Sequence, residues 1–234
     1  ESLDIPWYFV PYDKNMWWKW FNSEERMTYY NMSHNLVSLP HIQDFLAVKD
    51  MHAKKVIEPN SVFVPGHTGD FIAGGHIPES FFDKPEIGES LYLDAVIKKH
   101  YSLWPFDDLE DIMKDELKSR ILRMTEARDL LSPTGAADAI EKWDWQERQA
   151  KFIVNSVRVY EFWGYNWWLP LWDAEMMDFW AKVPLELRRG EKLYIKYVTQ
   201  VYAKTAGIDS KMAGRSSNIT RTYKLKRMIK RTPL

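Results

Sequence analysis

The chain has 234 residues and a formal net charge of −1, so it is long enough to bury a sizeable core and has no global attraction to nucleic acid or anionic membranes. The lack of cysteine excludes disulfides, thiolate metal sites and cysteine nucleophiles, and it suits a reducing cytoplasm. No apolar run approaches the ~18 residues that span a bilayer. We therefore expect a cytoplasmic protein without a membrane span or a nucleic-acid partner.

The N-terminal part of the chain carries aromatic clusters and two predicted helices. Asn22 and Ser23, followed by two glutamates, are typical of a capped helix N-terminus. A second helix is predicted over residues 41–56, where apolar side chains recur at helical spacing. The chain also opens at Glu1 within what reads as folded sequence, which indicates a piece of a longer protein.

Residues 61–79 read SVFVPGHTGDFIAGGHIPE and carry the clearest functional pattern. The run Val62, Phe63, Val64 predicts a short buried strand, and a glycine-rich turn that contains Asp70 follows it. This layout is typical of the carboxyl edge of an open α/β sheet, where ligands bind. The glycine spacing fits neither a dinucleotide-binding nor a Walker loop. The alternative is a tight strand-to-helix turn with a capping aspartate.

Most of the chain after the glycine turn is predicted to be helical. The predicted helices cover residues 90–101, 106–131, 136–162, 174–183 and 192–206. We interpret the many charged residues of positions 80–150 as solvated helix faces. Residues 164–173, GYNWWLPLWD, are predicted to form an aromatic loop. We expect the aromatic side chains of this loop and of residues 17–21 to be buried in the hydrophobic core. The alternative is that they stack on the faces of bound sugars.

The last 24 residues, 211–234, contain eight basic side chains and no acidic one. The first interpretation of this segment is a solvated, partly disordered tail. An electrostatic contact with an anionic partner or with the mouth of a nucleotide site is the alternative.

The sequence contains six histidines, and none shows the spacing of a known zinc motif. His67 and His76 share the glycine turn with Asp70. We interpret them as contacts to a nucleotide or an acceptor molecule rather than as zinc ligands.

Taken in order, three segments resemble the synthetase domain of asparagine synthetases and of their relatives in surface-polysaccharide gene clusters, the N-type ATP-pyrophosphatase or PP-loop family. The family loop Gly-Glu-Gly-Ser-Asp-Glu-Leu-Phe-Gly-Gly-Tyr lies without a gap on residues 66–76. The family motif Glu-x-Arg-x-Pro-Phe-Leu-Asp lies on residues 166–173, and Pro-x-Glu-Leu lies on residues 184–187. The resemblance covers roughly residues 35–205.

The resemblance implies an α/β, predominantly helical fold, namely the C-terminal part of a parallel sheet like that of the adenine-nucleotide alpha hydrolases, followed by a helical region. We expect residues 1–79 to form the end of the nucleotide-binding sheet with its glycine loop. Residues 80–210 are then the helical part of the synthetase domain, and residues 211–234 are the basic tail.

The resemblance also implies an ATP-dependent carbon–nitrogen ligase with ATP and Mg²⁺ as cofactors. Members of the family adenylate an acceptor, release pyrophosphate, and let ammonia displace AMP. Asp70 matches the carboxylate that binds the Mg²⁺–pyrophosphate unit, a chemistry for which carboxylate oxygens are suited. The adjacent positions Gly66, Thr68 and Gly69 are assigned to nucleotide binding by the same alignment.

Two lysines and one histidine complete the site that the resemblance implies. Lys192 matches the lysine that stabilises charge on the phosphate during adenylation. Lys196 stands where the family usually has arginine, and it is assigned to the pyrophosphate. His67 replaces the first glutamate of the family loop, where it would serve as acid or base near neutral pH. Asp173 is expected to cap the following helix.

Departures from the family pattern narrow the function. His67 replaces a glutamate near the reacting groups, Phe71 replaces the second loop glutamate, and Asn166 and Trp168 replace the Glu and Arg of the second motif. Aspartate is therefore disfavoured as acceptor. We expect the acceptor to be a sugar acid or an amino acid and the nitrogen source to be ammonia or a glutaminase partner. A homo-oligomer is also compatible with this interpretation. The family's Ser-Gly-Gly-x-Asp-Ser phosphate loop is expected upstream of Glu1.

Two other interpretations remain open from the sequence. One is a non-catalytic relative that kept the fold and serves as a binding or scaffold module. The other is an unrelated helical protein with a coincidental glycine turn, which a structure without a parallel sheet leading into Gly66 would favour.

Overall fold

A computed structural model describes residues 5–101, 109–125 and 129–209 of the chain. Within these ranges the structure is predominantly helical and contains a small parallel sheet. The described residues form two compact units. The larger unit is Phe9–Arg189, and the smaller one combines residues 5–8 with residues 190–209.

The larger unit begins with helices α1 (Lys14–Phe21), α2 (Glu24–Ser33) and α3 (Phe45–Ala53). The hydroxyl of Ser23 accepts a hydrogen bond from the backbone N–H of Arg26, which confirms the predicted N-terminus of α2. Helix α3 lies inside the helix predicted over residues 41–56 but is shorter at both ends.

The sheet consists of β1 (Val62–Phe63) and β2 (Asn166–Trp167), which run parallel with Val62 opposite Asn166 and Phe63 opposite Trp167. The predicted strand is confirmed, but its predicted burial is wrong, because Val62 and Val64 are 53% and 54% exposed. In this short pair only one face is covered, where the ring of Phe63 stacks on Tyr160 at 4.4 Å between centroids.

Strand β2 lies in the segment that the sequence predicted as an aromatic loop. Its partner β1 leads directly into the glycine turn that begins at Gly66. The structure therefore has a parallel pair of two-residue strands just before Gly66.

Helices make up most of the remaining larger unit. They are α4 (Gly69–Ile72), α5 (Gly88–His100), α6 (Asp111–Thr125), α7 (Pro133–Asp144), α8 (Arg158–Phe162), α9 (Ala174–Ala181) and α10 (Leu185–Arg188). A π-helical segment, Trp145–Ile153, follows α7 without a break, so the helix predicted over residues 136–162 changes its hydrogen-bond pattern in the middle. The helix predicted over residues 106–131 is too long at both ends, because residues 109–110 and 129–131 are described and lie outside α6.

The larger unit has two clusters of buried apolar side chains. One is largely aliphatic and lies among α5, α6 and α7, with Val96, Ile121 and Ile140 at its centre. The other is largely aromatic and joins α1, α2 and α3 to α8 through residues such as Tyr29 and Phe45. The first cluster anchors the chain just after the glycine turn, because Ile77 and Phe81 belong to it.

The smaller unit contains α11 (Lys192–Tyr197), the π-helical segment Val198–Tyr202 and α12 (Ala203–Thr205). The predicted helix over residues 192–206 is therefore confirmed. The basic tail predicted for residues 211–234 lies outside the described residues. Among the helices that the structure describes, none combines the length and apolarity needed to cross a bilayer.

Candidate functional site

The glycine turn between β1 and α4 has an unusual backbone. Thr68 adopts a left-handed conformation with φ of +77°, which costs a β-branched residue about 1–3 kcal/mol. Gly74, with φ of +93°, packs so closely on α10 that a Cβ added there would lie 2.7 Å from Cβ of Arg188. Gly66 has open space where a side chain would be, so its backbone is accessible to a ligand.

Asp70 stands at the start of α4 and is held by a histidine from the same turn. One carboxylate oxygen of Asp70 accepts the backbone N–H of Phe71 at 2.9 Å, and the other lies 3.0 Å from Nε2 of His76. Nδ1 of His76 lies 2.8 Å from a carboxylate oxygen of Asp144, the last residue of α7. The side chain of Asp70 is 68% exposed, whereas that of Asp144 is 2% exposed. His76 thus connects a solvent-facing carboxylate to a buried one.

The hydrogen bonds of His76 set the charges of these three groups. Burial alone would lower the pKa of His76, but its bonds to Asp144 and Asp70 outweigh that effect and raise the pKa. For Asp144, burial alone would raise the pKa, but the hydrogen bonds from His76 and Gln149 lower it to about 2. The bond from His76 is the main reason that the pKa of Asp70 is lowered. The arrangement therefore favours a charged imidazole between two carboxylates.

The hydrogen bonds continue from Asp144 to the aromatic loop. Gln149, in the π-helical segment, donates to Asp144 at 3.0 Å and accepts from the hydroxyl of Thr68 at 3.2 Å. The indole N–H of Trp172 donates to the same hydroxyl at 2.8 Å. These contacts hold the strained backbone of Thr68, and they use its hydroxyl internally. We call the six residues the glycine-turn network: Thr68, Asp70, His76, Asp144, Gln149 and Trp172.

Basic side chains surround the buried end of the network. The ammonium of Lys99 donates to the backbone carbonyl of His76 at 3.0 Å and lies 3.5 Å from Asp144. Arg148 lies 3.9 Å from Asp144, and Nε2 of His100 lies 3.7 Å from it. Burial lowers the pKa of His100 to about 4, so this ring is neutral at neutral pH. The positive charge beside the network therefore comes from Lys99 and Arg148.

His67, predicted as an acid or base, lies in a different environment from Asp70. Nδ1 of His67 is 2.9 Å from the hydroxyl of Ser156, and its ring lies 6.1 Å from that of His41. Burial lowers the pKa of His67, which leaves the imidazole neutral at neutral pH. The glycine turn thus separates its two histidines, and His76 is the one that it brings to Asp70.

Lys192 and Lys196, the other predicted site residues, belong to the smaller unit. Lys192 is the first residue of α11 and follows Glu191, which has a left-handed φ of +58°. Both lysines are exposed. Asp173 occupies the N-terminal position of α9 as predicted, without a side-chain hydrogen bond to the helix.

Sequence reasoning missed Asp144 and Gln149. The interpretation of the charges in residues 80–150 as solvated faces is wrong for Asp144, which is buried and joined to His76. No local pattern distinguishes it from its exposed neighbours, since its partner lies 68 positions earlier in the chain. The Trp172 contact with Thr68 was equally hidden, because the aromatic loop shows no periodicity.

Asp70 is the candidate ligand for the Mg²⁺ that the resemblance implies. Within residues 5–101, 109–125 and 129–209, no three or more acidic or histidine side chains are arranged to hold a metal ion by themselves. Mg²⁺ that arrives bound to phosphate needs only one or two protein carboxylates. Asp70, exposed and oriented by two hydrogen bonds, fits that requirement.

Comparison of the chain with models of protein families, with curated proteins and with solved structures found no match.

Proposed function

We propose that the chain is part of an ATP-dependent carbon–nitrogen ligase of the asparagine synthetase type, acting in the cytoplasm in surface-polysaccharide or related metabolism. In this proposal β1 and the glycine turn are the end of a nucleotide-binding sheet like that of the adenine-nucleotide alpha hydrolases. The observation that carries the proposal is Asp70, an exposed carboxylate that a parallel strand and a glycine turn present to solvent and that His76 holds from behind.

Asp70 would bind the Mg²⁺–pyrophosphate unit of ATP. The metal, when bound, neutralises negative charge on the phosphate oxygens. His76 keeps the carboxylate ionised and in one orientation, as hydrogen-bonded partners of metal ligands generally do. The open space at Gly66 admits a phosphate close to the backbone.

The remaining proposed roles follow the family alignment. Lys192 and Lys196 would stabilise the negative charge that develops on the phosphates during adenylation. His67, neutral because of its burial, would accept a proton from the attacking amine. The acceptor is a sugar acid or an amino acid, and the nitrogen comes from ammonia or a glutaminase partner.

The first prediction concerns Asp70 and is measured as pyrophosphate release. In the natural full-length protein supplied with ATP, Mg²⁺ and a panel of sugar and amino-acid acceptors, Asp70→Asn should lower the rate roughly 100-fold or more. Asp94→Asn, at an exposed carboxylate of α5, is the matched control and should keep the parent rate.

Two results would contradict this proposal. Full activity of Asp70→Asn would remove the carboxylate from the mechanism. Absence of pyrophosphate release with every acceptor would favour the non-catalytic relative, a binding or scaffold module. The same assay on Lys192→Gln and Lys196→Gln tests the assignment of the two lysines.

A further inference from the structure

A second feature of the larger unit is a cleft of about 270 Å³ bordered by α4, α7 and α9. Phe71, Trp145, Met177 and Trp180 form its apolar wall. Its polar wall combines two carboxylates of α7 with a guanidinium of α10: Asp138, Glu141 and Arg188. None of the polar-wall residues belongs to the glycine-turn network.

The polar wall is built around a buried arginine. Arg188 is 4% exposed, and its guanidinium is paired with Asp138 at 3.1 Å and with Glu141. Its Nε is buried without a hydrogen-bond partner among the described residues, which is a costly arrangement for a charged group. Two ion pairs and the close packing of Gly74 hold this side chain, so the carboxylates that it pairs with are also fixed.

The carboxylates offer different hydrogen-bonding capacities to a ligand. Burial raises the pKa of Glu141 to about 7 even though Arg188 opposes the shift, so this group both donates and accepts near neutral pH. The side chain of Asp138 is 59% exposed and acts as an acceptor. Hydroxyl groups, which donate and accept, match this combination.

Charge and size narrow the ligand further. Arg188 and Lys142 stand beside the two carboxyl groups, so the cleft contains charges of both signs and has no strong preference for a cation or an anion. Its volume lies just below the range of about 300–1,000 Å³ typical of drug-sized pockets, which suits a single ring rather than a whole nucleotide. The indoles of Trp145 and Trp180 provide flat apolar surfaces that suit the carbon face of such a ring.

We propose that this cleft binds the ring of a monosaccharide, with its apolar face on the indoles and its hydroxyl groups on Asp138 and Glu141. The cleft shares two elements with the glycine-turn network, because Phe71 follows Asp70 in α4 and Glu141 precedes Asp144 by one turn in α7. In the ligase proposed above the bound ring belongs to the acceptor, and this identification rests on the proposed function.

The test measures binding without nucleotide, by saturation-transfer NMR and calorimetric titration of the full-length protein. The probes are glucose, galactose, mannose and N-acetylglucosamine, with cyclohexanol as a ring of similar size that lacks the hydroxyl array and tetramethylammonium as a cationic probe. At least one sugar should bind, and more tightly than both other probes. Trp180→Leu and Asp138→Asn should each weaken its binding roughly tenfold, because the first removes a stacking contact and the second replaces a charged hydrogen-bond acceptor by a weaker neutral one.

The variants are chosen to keep the result interpretable. Asp138→Asn removes one of the two ion pairs of the buried Arg188, so urea unfolding checks that this variant stays folded, and Trp7→Leu, at an indole that is 73% exposed and does not line the cleft, should leave binding unchanged. No binding of any of the four sugars, equal binding by both variants and the parent, or tighter binding of tetramethylammonium would overturn the proposal.

The binding test and the pyrophosphate assay test two separate proposals, so one proposal can be contradicted while the other is supported. Sugar binding that the variants weaken, without pyrophosphate release, supports the cleft and counts against the ligase. Pyrophosphate release with another acceptor, without sugar binding, supports the ligase and overturns the cleft.

Discussion

His76 lies between two carboxylates of opposite exposure, and this position gives the site a calculable pH response. Its folded-state pKa is raised above 6.5, so the stability that it contributes is complete below pH 6.5 and is lost as the pH rises through the raised value. The pKa values of Asp70 and Asp144 are lowered from 3.8, so their contribution is present above pH 3.8 and is lost as the pH falls through the lowered values. Lys99, whose pKa burial lowers from 10.5, opposes the charge on His76.

We therefore predict that His76→Gln removes a pH-dependent part of the stability. The loss in unfolding free energy relative to the parent should be greatest between about pH 4 and pH 6.5, of the order of 1–3 kcal/mol, and should shrink at higher pH. Urea unfolding at a series of pH values measures it. His34→Gln, at an exposed histidine after α2, is the control, and a loss that does not vary with pH would contradict the prediction.

At the same scale, sequence reasoning identified Asp70 but not Asp144. Asp70 follows a strand and lies among glycines, a local pattern with a physical meaning. Asp144 lies between Lys142 and Glu147 in a run of charged helical residues, and such a run predicts a solvated face. Its burial comes from a tertiary contact with His76 that local sequence does not encode.

The glycine turn shows how one element is fitted to another. Gly74 packs directly against the backbone of Arg188. A Cβ added to Gly74 would lie 2.7 Å from the Cβ of Arg188 and 2.7 Å from its carbonyl oxygen. The contact joins the turn to α10, and it also positions the guanidinium that forms the polar wall of the cleft.

Gly74→Ala should accordingly destabilise the protein strongly. A positive φ costs an L-residue about 1–2 kcal/mol and overpacking costs about 1–3 kcal/mol, so we expect a loss of roughly 2–5 kcal/mol in urea unfolding. Gly66→Ala is the matched control, because nothing lies within 4 Å of the added methyl group. Its stability should equal that of the parent or exceed it by up to about 1 kcal/mol; a similar loss in both variants would contradict the packing argument.

Element prediction succeeded where periodicity extends over several turns and failed for the shortest elements. Helix α5 was predicted within a few residues, and so was the continuous helical segment that begins with α7 at Pro133 and ends with α8 at Phe162, because apolar residues recur at helical spacing along both. Strand β2 contains only Asn166 and Trp167, which is too short to show alternation. The π-helical segment Trp145–Ile153 has the composition of an ordinary helix, so only backbone hydrogen bonds reveal it.

On the scale of the larger unit, one of the two cores is built largely from aromatic side chains. Phe45 is fully buried and its ring contacts those of Trp20, Tyr29, Phe162 and Trp163 at centroid distances of 4.6–5.7 Å. The predicted predominance of helices, with a strand running parallel to another, is confirmed at this level. That β1 is the end of a larger parallel sheet depends on strand pairing over long sequence distances, and it stays a prediction.

Phe45→Ala should lower the unfolding free energy by about 3–5 kcal/mol, as large-to-small changes of buried aromatic residues do. Trp18→Ala removes a larger side chain that is 70% exposed, and it should change stability by no more than about 0.5 kcal/mol. Urea unfolding followed by circular dichroism compares the two. Equal losses would mean that the aromatic core does not stabilise the fold.

The direction of every hydrogen in the glycine-turn network is dictated by its two ends. An indole nitrogen can only donate and an ionised carboxylate can only accept, so the hydroxyl of Thr68 and the amide of Gln149 each have a single permitted orientation. Glutamate has nearly the same shape as glutamine, yet at position 149 it would turn an acceptor toward Asp144. The site thus admits one member of an isosteric pair and rejects the other, by proton count rather than by volume.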